Sequence, residues 1–497
     1  MCWYKSHELF INDSKNEEKL MMYSKSSISR MFKTSLVAIM LSITSVCMAI
    51  EVPWQDFPIT FSQQVDDYIP PMQADYIKNK LTKAYQISQM QAFYRHYYES
   101  HEHGLSPWSA QFVEDFLPMV KQHECEVITR FDNRLQNKEH QHYALNFKLH
   151  EVNWWQALEY NMALNNVSSA IFEPQNRAIA VVNTLVRALP DSAPDFFDMQ
   201  LPGQGFPFDN LQESAVWMAT PLYVVSVSAD KAWSLVITPD SYFGWVKSAD
   251  IAYVSSSFIE QWQTAAQKAL VAVMQTKAPI LTAQNTFQAY GYIGTVFPLS
   301  GQHESYTEVL LPIKTASGDA HITTALIKHT AVATMPVKAS AQNIARLIKQ
   351  LQNRPYGWGG QWFFNDCSQE LKSLFTPFGI WLPRNSSAQA KLASIDLSDM
   401  TPDERLKALK SQAHPLLTII YINGHVMLYV GLKNDNKHTA MTYQNVWGLA
   451  SSARDKRYVI GQSLFLPLLK NYPEAPEAVS LLDKPTLKLI YLDELSV

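Results

Sequence analysis

The sequence predicts a multidomain chain in which an α+β domain stands last, behind two small β-barrels and a helical N-terminal segment. Three observations carry this. Residues 51–173 place apolar and aromatic side chains at helix-like spacing. Residues 176–335 break into short β-rich runs between turn residues, and beyond residue 339 helical runs precede strand-like ones. At 497 residues the chain holds three or four domains of roughly 150 residues each. Its formal net charge of −4 comes with no basic stripe, so nucleic acid is not an expected partner.

The first 49 residues read as an extension followed by a signal peptide. From Met31 onward, Lys33 supplies a positive start, residues 34–46 an apolar core, and Cys47-Met48-Ala49 a small-residue cleavage pattern. That core is shorter than the roughly 20 residues a membrane span needs. Export is therefore predicted, with cleavage after Ala49, no stable membrane span afterwards, and a final location in the periplasm of a Gram-negative bacterium or outside the cell. The polar residues before Met31 do not resemble the start of a signal, which makes Met21, Met22 and Met31 candidate initiators. Val46 before Cys47 argues against a lipoprotein. Of 4 cysteines, Cys2 and Cys47 leave with the signal, and Cys125 and Cys367 remain, too few for a disulfide scaffold.

Residues 50–173 form the helical segment, with helices predicted over 74–98, 107–131 and 153–164. His101, His103, His123, His140 and His142 fall here without the ligand spacing of a metal site, and read as surface and cap residues. Residues 174–256 form the first β module, with runs at 178–186, 214–218, 221–226, 232–238 and 244–246. Gly203, Gly205, Pro207 and Asp209 break the chain between the first two runs. Residues 257–338 form the second, opened by a helix over 258–275 and carrying strands at 307–313 and 320–328. The α+β domain spans 339–475, with helices at 340–350 and from Cys367 to about residue 377, then strands at 416–422, 425–432 and 440–443. Residues 476–497 are expected as a C-terminal tail.

The chemistry is concentrated in RPYGWGGQWFFNDCSQ, residues 354–369. Cys367 opens a helix there, where unpaired N–H groups and the helix dipole favour a thiolate. His425, at the start of a strand facing that helix, is the natural base: it takes the thiol proton and later protonates the leaving amine. A third polar group normally orients such an imidazole. Gln444 lies at a strand end within reach, and His438, in a polar turn, is its competitor. A thiol mechanism calls for no metal and no cofactor.

These residues carry a resemblance. PYGWGG at residues 355–360, Asp366-Cys367-Ser368, Asn423-Gly424-His425-Val426 and Tyr443-Gln444-Asn445-Val446-Trp447-Gly448 are similar to the motifs of the NlpC/P60 family of papain-like cell-wall peptidases. Upstream, Arg187-Ala188-Leu189-Pro190, Phe206-Pro207-Phe208-Asp209, Asp230 with Trp233, and Gly244-Trp245-Val246 resemble a bacterial SH3-type (SH3b) module of one subgroup. That subgroup has a helical N-terminal segment, two SH3b modules and a C-terminal peptidase. The resemblance implies a papain-like catalytic domain with Cys367 as nucleophile, His425 as base and the backbone N–H of Cys367 in the oxyanion hole. The third position, usually histidine in the subgroup, falls here on Gln444, whose carbonyl can still accept the imidazole N–H.

The resemblance also implies the substrate: a peptidoglycan or muropeptide stem, cut between γ-D-glutamate and meso-diaminopimelate. Asp366 and Ser368 would then hold the free amine of an N-terminal L-alanine, and an amide nitrogen, being uncharged, would be refused. Asp366 read on its own is equally a helix N-cap. Tyr356 lines the cleft or packs beneath the catalytic helix, Trp358 and Trp362 are core or rim, and Tyr242 is a candidate to close the cleft. The alternatives are a cell-wall-binding protein with a weakened peptidase domain, which the glutamine at 444 motivates, and an amidase or toxin using the same site. A monomer is expected.

Overall fold

A computed structural model describes residues 52–70, 76–167, 171–433 and 438–496. The expected signal peptide and cleavage site, with Cys2 and Cys47, lie outside the described residues. No helix among the described residues is long and apolar enough to cross a membrane.

The described chain is built on three seven-stranded sheets. The first uses Gln212–Val216, Thr184–Arg187, Phe243–Lys247, Trp233–Ile237, Pro221–Val227, Arg177–Ala180 and Ile251–Tyr253, in that spatial order and antiparallel throughout. The second runs from Phe287–Gly291 through Ala320–Lys328 and Tyr306–Lys314 to Val332–Thr334. Between them lies the helix Ser256–Lys268, whose Ser255 side chain accepts a hydrogen bond from the Phe258 N–H. The predicted helix continued to residue 275, but Leu270–Val273 forms a strand buried at every residue. A continuous apolar run fits a buried strand as well as a helix, and here sheet pairing with Val296–Gln302 and Val332–Thr334 decides.

The third sheet carries the site. Its order is Trp54–Asp56, Arg457–Pro467, Ala440–Ala450, His425–Leu432, Thr418–Ile422, Leu487–Tyr491 and Ile395–Asp396. Two expectations are corrected by it. Residues 476–497 are no tail, because Leu487–Tyr491 pairs with both Thr418–Ile422 and Ile395–Asp396. The N-terminal segment is not helical from its start, because Trp54–Asp56 pairs in parallel with Arg457–Val459 at the sheet edge. Val65, Tyr68, Ile69, Ile77 and Leu81 then share one core with Cys367 and the helices Ala341–Leu351 and Cys367–Phe375.

The remaining helices of this segment, Lys83–Tyr98, Leu117–Arg130 and Val152–Met162, pack against the β modules. His142 is not a surface residue: at 3% exposure its Nδ1 lies 2.6 Å from Asp195, with His150 at 3.3 Å on the other carboxylate oxygen. Asp195 is 53 positions away, beyond any local pattern. His414, Asp493 and Glu494 also converge, which spacing alone did not show. Lys80 pairs with Asp493 at 3.4 Å, so the group already holds a cation of its own.

Candidate active site

The segment leading to Cys367 is set by close approach to the first β module. Gly359 and Gly360 adopt φ 56° and 79°, and a Cβ on them would lie 2.5 Å from the Gln212 carbonyl oxygen and 2.7 Å from the Ala215 Cβ. The Gln212 side chain donates to the Gly359 carbonyl at 2.8 Å. Only glycine fits this backbone and this gap. Gly360→Ala is expected to cost about 2 kcal/mol or more, from left-handed strain plus overpacking, and to lower the thermal midpoint measurably.

Asp366 caps the helix Cys367–Phe375, its Oδ1 accepting the Gln369 N–H at 2.9 Å. The same carboxylate receives the buried Arg384 guanidinium at 2.7 and 3.1 Å, while the Ser368 hydroxyl donates to it at 3.1 Å. Arg384 extends the network into the first β module by donating from Nε to Ser214 Oγ at 2.7 Å. Asp366 is thus both cap and ion-pair partner, and Arg384 is a site residue that sequence reasoning missed. So is Glu370, fully buried under the site, which accepts from Tyr443, from Ser463 at 2.8 Å and from Asn365 at 2.7 Å.

Asn423 and Gly424, the latter at φ 79°, make the two-residue turn that starts the next strand at His425, paired with Ile422. As expected, the strand that His425 opens faces the helix of Cys367. The residues facing the helix are Val426, Leu428 and Val430, in the core that contains Cys367, whereas Met427 and Tyr429 belong to the core of the opposite face. His425 opens this strand at the end of the sheet, next to Val426, whose backbone lies by the Cys367 sulfur. There the backbone N–H groups of Val426 and Ser368 act on the Cys367 thiol in favour of its charged form, and the Asp366 charge acts on both Cys367 and His425.

Gln444 is fully buried, and its Oε1 lies 2.7 Å from His425 Nε2. Its amide nitrogen donates to Thr442 Oγ1 at 2.8 Å, and that hydroxyl spends its own hydrogen on the Leu466 carbonyl at 2.9 Å. Thr442 can then only accept, so the Gln444 oxygen must face the imidazole. His425 Nε2 carries the proton and Nδ1 keeps its lone pair. His438 is exposed and at φ 47° in its turn, apart from this network.

Burial, reinforced by Asp366, pushes the Cys367 thiol up to about 12 against the pull of Arg384 and the two backbone N–H groups. Burial also pulls His425 down to about 4, opposed by the Gln444 hydrogen bond. The helix N-terminus does not by itself give a thiolate here, because desolvation outweighs it. Both groups are neutral at pH 7 in the unliganded cleft. Iodoacetamide should accordingly react slowly at pH 7 and faster with rising pH, with no fast plateau near pH 5. Such a plateau would show a preformed ion pair.

Tyr356 lies close enough for the charges of Cys367 and Asp366 to act on it, and its N–H bonds the Gly461 carbonyl at 2.8 Å. Trp358 and Trp362 are rim residues, 41% and 62% exposed. Tyr242 reaches the cleft from the first β module, donating its hydroxyl to Glu213 and lying within range of Arg384 and Asp366. Neither Cys125 nor Cys367 forms a disulfide.

Comparison with known proteins agrees with this architecture. The model of an SH3 domain of the SH3b1 type matches residues 194–247, inside the first sheet region. Among curated sequences none matches the chain. A solved structure of an NlpC/P60 endopeptidase from Photobacterium damselae subsp. piscicida is similar at 27% identity and TM-score 0.72, covering 88% of this chain and 99% of that one. An NlpC/P60 family protein from Bacillus cereus is similar at 17% identity and TM-score 0.43, covering 64% of this chain and 99% of that one. The chain is thus similar over most of its length to an NlpC/P60 endopeptidase, and residues 194–247 match an SH3 domain of the SH3b1 type.

Proposed function

We propose that the protein is an exported cysteine endopeptidase of cell-wall peptides, cutting the γ-D-glutamyl–meso-diaminopimelate bond. The observation that carries this reading is the Cys367 thiol beside the start of the His425 strand, with the histidine tautomer fixed by Gln444. His425 Nδ1 takes the thiol proton as Sγ adds to the peptide carbonyl, and the Cys367 N–H stabilises the oxyanion. The imidazolium then protonates the departing amine, leaving a thioester that water hydrolyses with His425 as base. Gln444 acts as the positioning residue.

The narrower part of the proposal is a preference for a free N-terminal L-Ala. Carboxylates at the cleft, Asp366 and Glu213, attract an ammonium, whereas an acylated nitrogen carries no charge for them to attract. Because Arg384 already engages Asp366, this preference depends on Glu213 as well. The SH3 domain suits retention on peptidoglycan, and the protein acts as a monomer in the periplasm or outside the cell. Mass spectrometry of products from L-Ala-γ-D-Glu-meso-diaminopimelate, its N-acetyl form and intact sacculi tests the reading, with Cys367→Ala as the blank. L-Ala-γ-D-Glu is the expected product, formed fastest from the free-amine tripeptide. Failure of all three substrates with Cys367 reduced would refute the reaction, and equal rates on the first two would refute the amine preference.

A further inference from the structure

The helix that opens with Cys367 has a second charged link to the first β module, apart from Arg384. Lys372 lies one turn beyond Ser368 on the same helix face, and it donates to Asp240 in the loop that joins Trp233–Ile237 to Phe243–Lys247. The two side chains are 12% and 8% exposed. Ser214, Thr238 and Gln369 line with them a cavity of about 20 Å³, room for about one water molecule, so a lost partner is poorly replaced by solvent. Burial would raise the Asp240 carboxyl, but Lys372 outweighs it and holds that carboxyl below its usual range.

The pair begins a chain of hydrogen bonds that ends at the cleft. Thr238 Oγ1 donates to Asp240 Oδ1 at 2.6 Å, and the Tyr242 N–H donates to the same Thr238 oxygen at 3.2 Å. The Tyr242 hydroxyl donates to Glu213, the neighbour of the Ser214 that Arg384 holds. An ammonium can only donate and a carboxylate only accept, which fixes both ends of this chain. Ser241, inside the loop, sits at φ 60°, a backbone that needs such support in any residue but glycine. Of the two carboxylates on this side of the cleft, Glu124 is 1% exposed and accepts from the Trp245 indole at 2.8 Å, whereas Glu213 is half-buried. Among the described residues no other hydrogen bond or ion pair takes up the Glu213 carboxylate, so its second oxygen is left for a ligand.

Resting on the amine preference proposed above, we infer that Lys372 and Asp240 are positioning residues for substrate selection: they lock the loop that aims Tyr242, and Tyr242 sets the Glu213 carboxylate against the free amine of the substrate. Neither residue touches the reacting atoms. The helix that presents the nucleophile thereby also places, through four hydrogen bonds, the group that chooses what the nucleophile attacks. Loosening the lock leaves the cleft open to the same peptides but blunts the distinction between a charged and an acylated nitrogen.

Kinetics on L-Ala-γ-D-Glu-meso-diaminopimelate and its N-acetyl form test this, with selectivity read as the ratio of the two kcat/KM values. Lys372→Met is expected to lower that ratio about tenfold, the worth of one charge-assisted contact, through a higher KM for the free amine. Lys372→Arg should restore most of it. The single variant also strands Asp240 and loses stability. Lys372→Met combined with Asp240→Leu leaves no buried charge, so its thermal midpoint should recover while selectivity stays low, because Thr238 has lost its acceptor. A double variant that is stable and as selective as the wild type overturns the inference, as does a Lys372→Met variant in which both peptides slow equally. Should the wild type show no amine preference, or cut neither peptide, the reading beneath is at fault. Hydrogen exchange of residues 238–243 in the full chain then still tests the lock, and exchange no faster in the double variant than in the wild type overturns it.

Discussion

Gln444→Leu is expected to lower kcat by about 10²- to 10⁴-fold while leaving KM nearly unchanged. Leucine keeps the volume but removes the oxygen that holds His425 Nε2–H at 2.7 Å. The imidazole is then free to place its proton on Nδ1, the nitrogen required as base, and the Nε2 side loses its partner in a buried site. Gln444→Glu separates orientation from charge. A carboxylate in the same place still accepts from Nε2 and favours the imidazolium, so the His425 pKa rises from its depressed value. The acid limb of the pH–rate profile should move to higher pH, with much of the rate retained. A Gln444→Leu variant with wild-type kcat would show that the glutamine only fills space.

Arg384→Met is expected to destabilise the protein by about 3–5 kcal/mol, because it strands a carboxylate that the fold has buried. Asp366 is 9% exposed and Arg384 3%. The guanidinium also holds Ser368 and Ser214, so its loss loosens the contact between the catalytic segment and the first β module. An unpaired Asp366 beside Cys367 raises the cost of forming a thiolate, so activity should fall with stability. Adding Asp366→Asn should recover a large part of both, since asparagine still caps the helix and leaves no buried charge. If the double variant is no more stable than Arg384→Met, the pair is not the source of the effect.

Cys367, His425 and Gln444 were legible as a candidate site because each lies in a short run that also fixes its local backbone. Asp366 caps the helix of Cys367, Gly424 turns the chain into the His425 strand, and Gln444 sits on the strand that pairs next. What surrounds them was not legible. Arg384, the neighbours Glu213 and Ser214, and Glu124 arrive from three separate segments, and nothing in the spacing of a lone arginine or glutamate says which cleft it enters. The tautomer of His425 depended on Thr442, two residues from Gln444, a relation that exists only once the strand is formed. Desolvation was hidden for the same reason. A helix N-terminus reads as thiolate-favouring in sequence, but how much water is removed from the sulfur is a property of the packed site. Leu270–Val273 and Leu487–Tyr491 were misjudged because a strand four or five residues long leaves too little periodicity to name it.

The arrangement of the sheet that carries His425 and Gln444 also bears on when the candidate site is complete. One of its strands, Trp54–Asp56, comes from the first described stretch, and an interior strand, Leu487–Tyr491, from the last. A chain synthesised from its N-terminus can assemble both β modules long before that interior strand exists. Completion of the candidate site is therefore a late event in folding, reached only when residues more than 400 positions apart are brought into one sheet. A partly made chain carries the thiol without the completed sheet that holds His425 and Gln444 in place.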